Sequence, residues 1–238
     1  KAGELSLQWA GRVAEIDRGV ITGLGLPKYQ GGFSKAPFDV IGDTMRGTRA
    51  MMLDTFRKKK EIVAACDRIV PFMARMPYGA YQWGGAPTAF FPLHKGADGF
   101  MSPKDFKELY WPSFKAVMLN LIQDGMIPFL FVEGSYNQRL DLIVDPDIPD
   151  GSTVWYFDKT DMAQVRKHLQ GYACFSGNFP SSLLAAGTVE QVKDEVKKLI
   201  DTCAGDGGYF VVNGAVLDEA KPENLHAYVD TAKKYGVY

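Results

Sequence analysis

The chain has 238 residues, 46% apolar and 23% charged, with Lys+Arg 27 against Asp+Glu 28 and a formal net charge of −1. This is the composition of a folded globular domain rather than a disordered tail, and its balanced charge supplies no net positive field for binding nucleic acid or acidic membrane through counterion release. No apolar stretch approaches the roughly 20 residues that cross a bilayer, and the opening KAGELSLQWAG lacks the basic-then-apolar pattern of a secretory signal.

Residues 1–85 read as a mostly helical amino-terminal part with covering loops. The chain opens on Lys1 rather than a methionine, which leads us to expect an upstream segment. LGLPKYQGGFSKAPF, from Leu24 to Phe38, is dense in Gly and Pro and reads as a loop long enough to bind or cover something. Met45, Met51, Met52 and Phe56, then Ile62, Val63, Cys66, Ile69 and Val70, recur at helical spacing.

Residues 86–238 read as strand–helix repeats of the same domain. The apolar runs TAFFPLH, MIPFLFVEG, STVWYFD, YACFSGN and GYFVVNG are strand candidates. Ser102-Pro103 opens a helix that stops at Gly125, Thr188 through Gln191 is a capping box, and Lys221-Pro222 opens a last helix ending at Gly236. That last helix offers Leu225, Tyr228, Val229, Ala232 and Tyr235 as its apolar stripe. Strands apolar on both faces and joined by helices imply an α/β fold with a parallel sheet, either open and doubly wound or closed as a barrel. About five such units do not choose between the two.

In both architectures the chemistry sits at the carboxyl ends of the strands. Those ends carry His94, Glu133, Asp158, Ser176 with Asn178, and Asn213. Glu133 is the strongest candidate, because an ionised carboxylate closing a nearly apolar run must be paired, hydrogen-bonded, metal-bound or shifted in pKa. His94 fits a general acid/base, a metal ligand or a satisfied wall histidine, and the residues alone leave the three open. Asp158 and Asn178 read equally as caps of the next turn. Arg139, in EGSYNQRL, suits either a substrate anion or a neighbouring carboxylate.

Cys174 reads as core rather than nucleophile, His168 as a partner for its own helix's carbonyl end, and His226 as solvent-facing. Three widely spaced cysteines fit reduced thiols and a cytoplasmic location. No phosphate loop, dinucleotide fingerprint or GxSxG is present.

The segments APFDVIGDTMRGTRAMMLDTFR, HKGADGFMSPKDFKELYWPSFKAVMLNLIQDGMIPFLFVEGSYNQRL, SGNFPSSLLAAGTVEQVKDEVKKLI and GGYFVVNGAVLDEAKPENLHAYVDTAKKYGVY cover most of the chain. Together they resemble the uroporphyrinogen decarboxylase superfamily, which also holds corrinoid-dependent methyltransferases of anaerobic bacteria and archaea. The resemblance implies a (β/α)8 TIM-type barrel whose site lies at the carboxyl mouth, with the first strand or strands missing from this chain.

It also implies which ligands to seek. The thiol-activating methyltransferases hold zinc through a His-x-Cys-Gly motif and a cysteine in the final turn. Here those positions are Phe131-Val132-Glu133-Gly134 and Ala215, so the usual zinc set is absent, and His94 with Glu133 is the remaining metal pair. The decarboxylases carry a histidine in the turn after the last strand, where this chain has Asn213-Gly214-Ala215-Val216.

The resemblance implies methyl transfer from a small methylated substrate to a corrinoid carried on a partner protein, with zinc possible and a homodimer as a further partner. Glu133, His94 and Asp158 would be catalytic, and Phe131, Tyr136, Arg139, Asn178 and Asn213 would bind substrate. Phe131, Tyr136, Trp155 and Phe179 would suit an aryl group, although core packing explains them equally. Decarboxylation of a porphyrinogen, and a catalytically silent ligand-binding relative, are the alternatives.

Overall fold

The computed structural model describes residues 1–26, 31–82, 85–214 and 216–237. Its helices before the second strand are α1 (Ala2–Arg18), α2 (Pro37–Val40), α3 (Thr48–Arg57), α4 (Lys59–Arg75) and α5 (Tyr78–Gln82), with β1 (Gly32–Phe33) between α1 and α2. Then come β2 (Thr88–Leu93), α6 (Pro103–Asp105), α7 (Trp111–Gln123), β3 (Ile127–Val132), α8 (Leu140–Ile143), β4 (Val154–Phe157) and α9 (Met162–Leu169). The chain closes with β5 (Cys174–Ser176), α10 (Ser181–Ala186), α11 (Val189–Cys203), β6 (Tyr209–Phe210) and α12 (Pro222–Tyr235). Among the described residues no helix is long and apolar enough to cross a membrane.

The strands form one six-stranded sheet in the order β1-β2-β3-β4-β5-β6, and every neighbouring pair is parallel. A doubly wound sheet reverses its strand order at a switch point, and this one does not. Sequential parallel strands with right-handed crossovers place their helices on one side, the arrangement of a (β/α)8 barrel wall, with which the sheet is consistent.

The burial pattern follows that layering. On β2, Ala89, Phe91 and Leu93 are fully buried, and Phe91 meets Phe114 of α7 edge-on at 5.6 Å. On β4 the buried pair is Trp155 and Phe157. Each fully buried aromatic or aliphatic side chain contributes about 1.5–3 kcal/mol, so this helix-facing layer is the main stabilising interface. The opposite face carries Phe33, Phe90, Phe129, Phe131, Tyr156 and Phe210, whose rings form a continuous chain of contacts across the sheet.

The loop expected at 24–38 contains β1, and its residues 27–30 lie outside those described. A strand of two residues has no run of branched or aromatic side chains to announce it. It is held by pairing with Ala89 and Phe90, and its approach to α5 requires the missing side chain of Gly32, whose Cβ would collide with the backbone of Pro77.

The caps read from sequence are present. Ser102 Oγ accepts the Asp105 N–H at 3.1 Å, and Thr188 with Gln191 forms a reciprocal capping box. The buried face of α12 is displaced from the expected apolar stripe. Asn224, Ala227 and Thr231 face inward, while Leu225, Val229 and Tyr235 are exposed. The cause is Asn224, whose Nδ2 reaches the carbonyls of Leu183, Leu184 and Gly187 and so satisfies the carboxyl end of α10.

Candidate active site

Side chains along a strand alternate between its two faces, so the residues that continue the open face past each strand end can be read by parity. On β2 the open-face series Thr88, Phe90, Pro92 continues to His94; on β3 the series through Phe129 and Phe131 continues to Glu133; on β4 Val154 and Tyr156 continue to Asp158. The register pairs Leu93 with Val132 and Val132 with Phe157, so His94, Glu133 and Asp158 occupy one row at the carboxyl edge. By the same parity Phe33 of β1 leads to Lys35.

Within this row His94 touches two carboxylates. Its Nδ1 lies 2.6 Å from Asp43 Oδ2, and its Nε2 lies 3.3 Å from Glu133 Oε1. Glu133 is the more open partner, with 45% of its side chain exposed against 32% for His94. Asp43 is more enclosed, and it also receives Lys35 Nζ at 2.7 Å and Lys95 Nζ at 2.5 Å. Partial burial would raise the Asp43 carboxyl, but hydrogen bonds from Lys35, Lys95 and His94 outweigh it and hold the group well below the ordinary carboxylate range.

Behind this layer stands Asp39, fully buried on α2. Its carboxyl accepts the backbone N–H groups of His94 at 3.1 Å and Lys95 at 2.9 Å, and the Tyr110 hydroxyl at 2.7 Å. Burial pushes its pKa up, against the opposing pull of those donors. Asp39 therefore pins the backbone of the turn that presents His94.

Asp158 holds the adjoining turn. Its Oδ2 accepts the Gly134 N–H at 3.1 Å, while Glu133 N–H bonds the Leu93 carbonyl at 3.2 Å. Gly134 has φ +82°, a left-handed backbone that favours glycine. Asn178 donates from Nδ2 to the Thr160 carbonyl at 2.7 Å. Asn213 pairs with Phe179 as an isolated parallel bridge, and the next residue, Gly214, packs so tightly that a Cβ there would meet the Asp158 carbonyl at 2.9 Å and Asn178 Cβ at 3.4 Å. Asp158, Asn178 and the 213–214 turn thus share one rim. Ala215 lies outside the described residues.

The structure places several expected pocket residues elsewhere. Arg139 is fully buried, donating from Nε to the Gly96 carbonyl at 3.1 Å and from Nη2 to the Met101 carbonyl at 2.5 Å, with its guanidinium 5.0 Å over the Phe106 ring. The EGSYNQRL turn folds under the 96–101 loop, so this arginine braces that loop, with Nη1 3.7 Å from the Asp98 carboxylate; of the two partners expected for it, the structure shows the neighbouring carboxylate. Tyr136 is carried inward with it and packs edge-on against Phe106. Trp155 and Phe179 are fully buried, Trp155 on the helix-facing side of β4 and Phe179 against Tyr228 of α12. Of the expected aromatic lining, Phe131 joins the open face, 4.6 Å from the Tyr156 ring and 6.2 Å from Phe90.

His168 Nδ1 lies 2.8 Å from the Gln164 carbonyl of its own helix, with Asp141 at 3.0 Å on Nε2, and His226 is exposed. Cys174 is half-buried and its thiol is raised by burial, which suits packing rather than nucleophilic chemistry.

Among the described residues no three His, Cys, Asp or Glu side chains converge to hold a metal ion. A resident zinc takes three or four protein ligands, and here both ring nitrogens of His94 already face carboxylates, which leaves one His–Glu pair. This donor set does not fit zinc.

Four residues of the cluster were absent from the sequence-derived set: Lys35, Asp39, Asp43 and Lys95. Asp39 and Asp43 stand one helical turn apart just after β1, and with β1 hidden inside a Gly-rich loop that spacing carried no positional meaning.

The family described as uroporphyrinogen decarboxylase (URO-D) matches residues 14–235. Among solved structures, a methyltransferase from Methanosarcina mazei aligns with a TM-score of 0.67 at 16% identity, over 86% of this chain and 58% of that one. At that identity the likeness shows the fold, and this chain spans a little over half of the neighbour's length. No curated protein sequence matches.

Proposed function

The chain belongs to the uroporphyrinogen decarboxylase (URO-D) family, and from that premise we propose that it transfers a methyl group from a small methylated compound to a corrinoid carried by a partner protein. The observation that carries the reading is the His94–Glu133 contact of 3.3 Å at the open edge of the sheet, with an ionised Asp43 on the other side of the ring. A ring set between two carboxylates is placed to pass a proton to the more open one, Glu133.

That proton is what the chemistry needs. When a methyl ether is cleaved, the carbon–oxygen electron pair goes to oxygen, and an alkoxide or phenoxide leaves poorly unless it is protonated. Glu133, the more exposed partner, donates the proton to the departing oxygen, and the pair regains a proton from water through His94 Nε2. The reduced corrinoid, as second substrate, supplies the electron pair that accepts the methyl carbon. Phe131, Tyr156 and Phe90 form an apolar wall below the acid, where a methyl or aryl group packs without water. The likeness in fold to a methyltransferase supports the same reading.

The decarboxylase alternative needs cationic side chains facing a polycarboxylate. Arg139 is buried on backbone carbonyls and does not serve that purpose.

The test is methylation of a reduced corrinoid, free and protein-borne, followed by its absorbance change across a panel of methyl ethers, amines and thiols. An ether-dependent change that Glu133→Gln lowers about 100-fold or more fits a general acid. An unmethylated corrinoid across the whole panel overturns the reading.

A further inference from the structure

We infer that Asp43 is a positioning residue that fixes the tautomer of His94. Its carboxylate, clamped between Lys35 and Lys95, accepts the Nδ1–H, and Nε2 is thereby left as the nitrogen that exchanges a proton with Glu133.

The two ring nitrogens of a neutral histidine are not equivalent: one donates and the other accepts, and the partner of the first decides which is which. At 2.6 Å the Asp43 contact is short for an N–H···O bond, as expected of a charge-assisted one, whereas the Glu133 contact at 3.3 Å is long. The Asp43 side chain is 19% exposed and Lys95 8% exposed, so the clamp is shielded from the solvent that weakens surface pairs. Lys95 is further fixed through its backbone N–H by Asp39 and by Nζ–Thr48 Oγ1 at 3.2 Å. With the ring turned by Asp43 and the backbone pinned by Asp39, Nε2 is held facing Glu133.

The inference deepens the proposed reaction and rests on its reading of the His94–Glu133 pair, yet its readout requires no substrate. In long-range 1H–15N spectra of histidine-labelled protein, taken where the rings are neutral, the three histidines are separable and His94→Gln identifies the signal lost. Wild type should show His94 as the Nδ1–H tautomer. Asp43→Ala should convert it to the Nε2–H form that free imidazole prefers, Asp43→Glu should restore Nδ1–H, and Lys35→Met should leave it in place. With an active assay, Asp43→Ala should lower kcat about tenfold or more while KM stays within about twofold.

A wild-type His94 carrying its proton on Nε2, or a tautomer unmoved in Asp43→Ala, overturns the inference. The wild-type spectrum decides alone should the alanine variant not fold. An Nδ1–H ring in a protein that methylates no corrinoid removes the transfer reading and leaves this one standing, and the reverse pair of results does the opposite.

Discussion

The Tyr110 hydroxyl donates a 2.7 Å hydrogen bond to Oδ2 of Asp39, joining the π-helical segment Phe106–Tyr110 before α7 to the helix after β1 across 71 residues. Through the same carboxyl, the turn after β2 is tied to both elements by the N–H groups of His94 and Lys95. One buried side chain therefore holds three segments whose junction presents the candidate acid/base pair.

Removing it should be costly. Asp39→Ala leaves two backbone donors and a hydroxyl without their acceptor, and an unsatisfied buried polar group costs about 1–3 kcal/mol. Urea unfolding should show Asp39→Ala destabilised by about 3 kcal/mol or more, beyond the typical single substitution. A loss under about 1 kcal/mol would mean that water or a neighbour replaces the carboxyl without penalty.

Acid stability should report the lysine clamp. The Asp43 carboxyl has a lowered pKa in the folded chain, against about 3.9 unfolded, so its contribution is complete above that value and is lost as pH falls toward the folded one. Asp39 acts with the opposite sign: its raised folded pKa makes its contribution complete at low pH and erodes it as pH rises. In urea midpoints measured between about pH 5 and pH 2, Asp43→Asn should flatten the acid decline relative to wild type. An unchanged decline would assign it to other carboxylates.

The strands were legible because β2 through β5 are announced by aromatic and branched runs, each closing on a polar residue. Their order was not, since such runs suit an open sheet and a barrel alike and the barrel was implied by the family resemblance. Glu133 and His94 were found by that same rule of position at a strand's carboxyl end. Asp39, Asp43, Lys35 and Lys95 were not, since they depend on β1, whose two residues are recognisable only by their partner strand and by Gly32 against Pro77. For Arg139 the residues alone allowed a substrate anion or a neighbouring carboxylate, and the fold supplies the second in Asp98, 3.7 Å from Nη1, together with the backbone carbonyls of Gly96 and Met101.

Arg139→Met tests that placement. The guanidinium braces the 96–101 loop, and burial lowers its pKa, which marks an enclosed site rather than a ligand-facing one. Loss of hydrogen bonds from a charged group should cost about 2–4 kcal/mol of stability. In whatever assay the enzyme supports, KM for an anionic donor should change less than threefold for the fraction that remains folded. A KM rise of about tenfold with normal stability, equivalent to roughly 1.4 kcal/mol of lost binding, would return Arg139 to the substrate.

The docking of α12 offers a contrast between polar satisfaction and apolar patterning. Asn224 is 1% exposed and its Nδ2 faces three carbonyls at 3.0–3.2 Å, whereas Leu225, on the stripe that hydropathy favours, is 36% exposed. Asn224→Leu keeps the volume and adds apolar surface, so a packing account based on hydropathy alone would have it stabilise the helix. With the donor gone, the end of α10 loses its partner, and the expected loss is about 2 kcal/mol, against less than about 1 kcal/mol for Leu225→Ala. Chemical denaturation of the two variants side by side decides the matter: Leu225→Ala proving the more damaging would put the apolar stripe back in control of the helix's orientation.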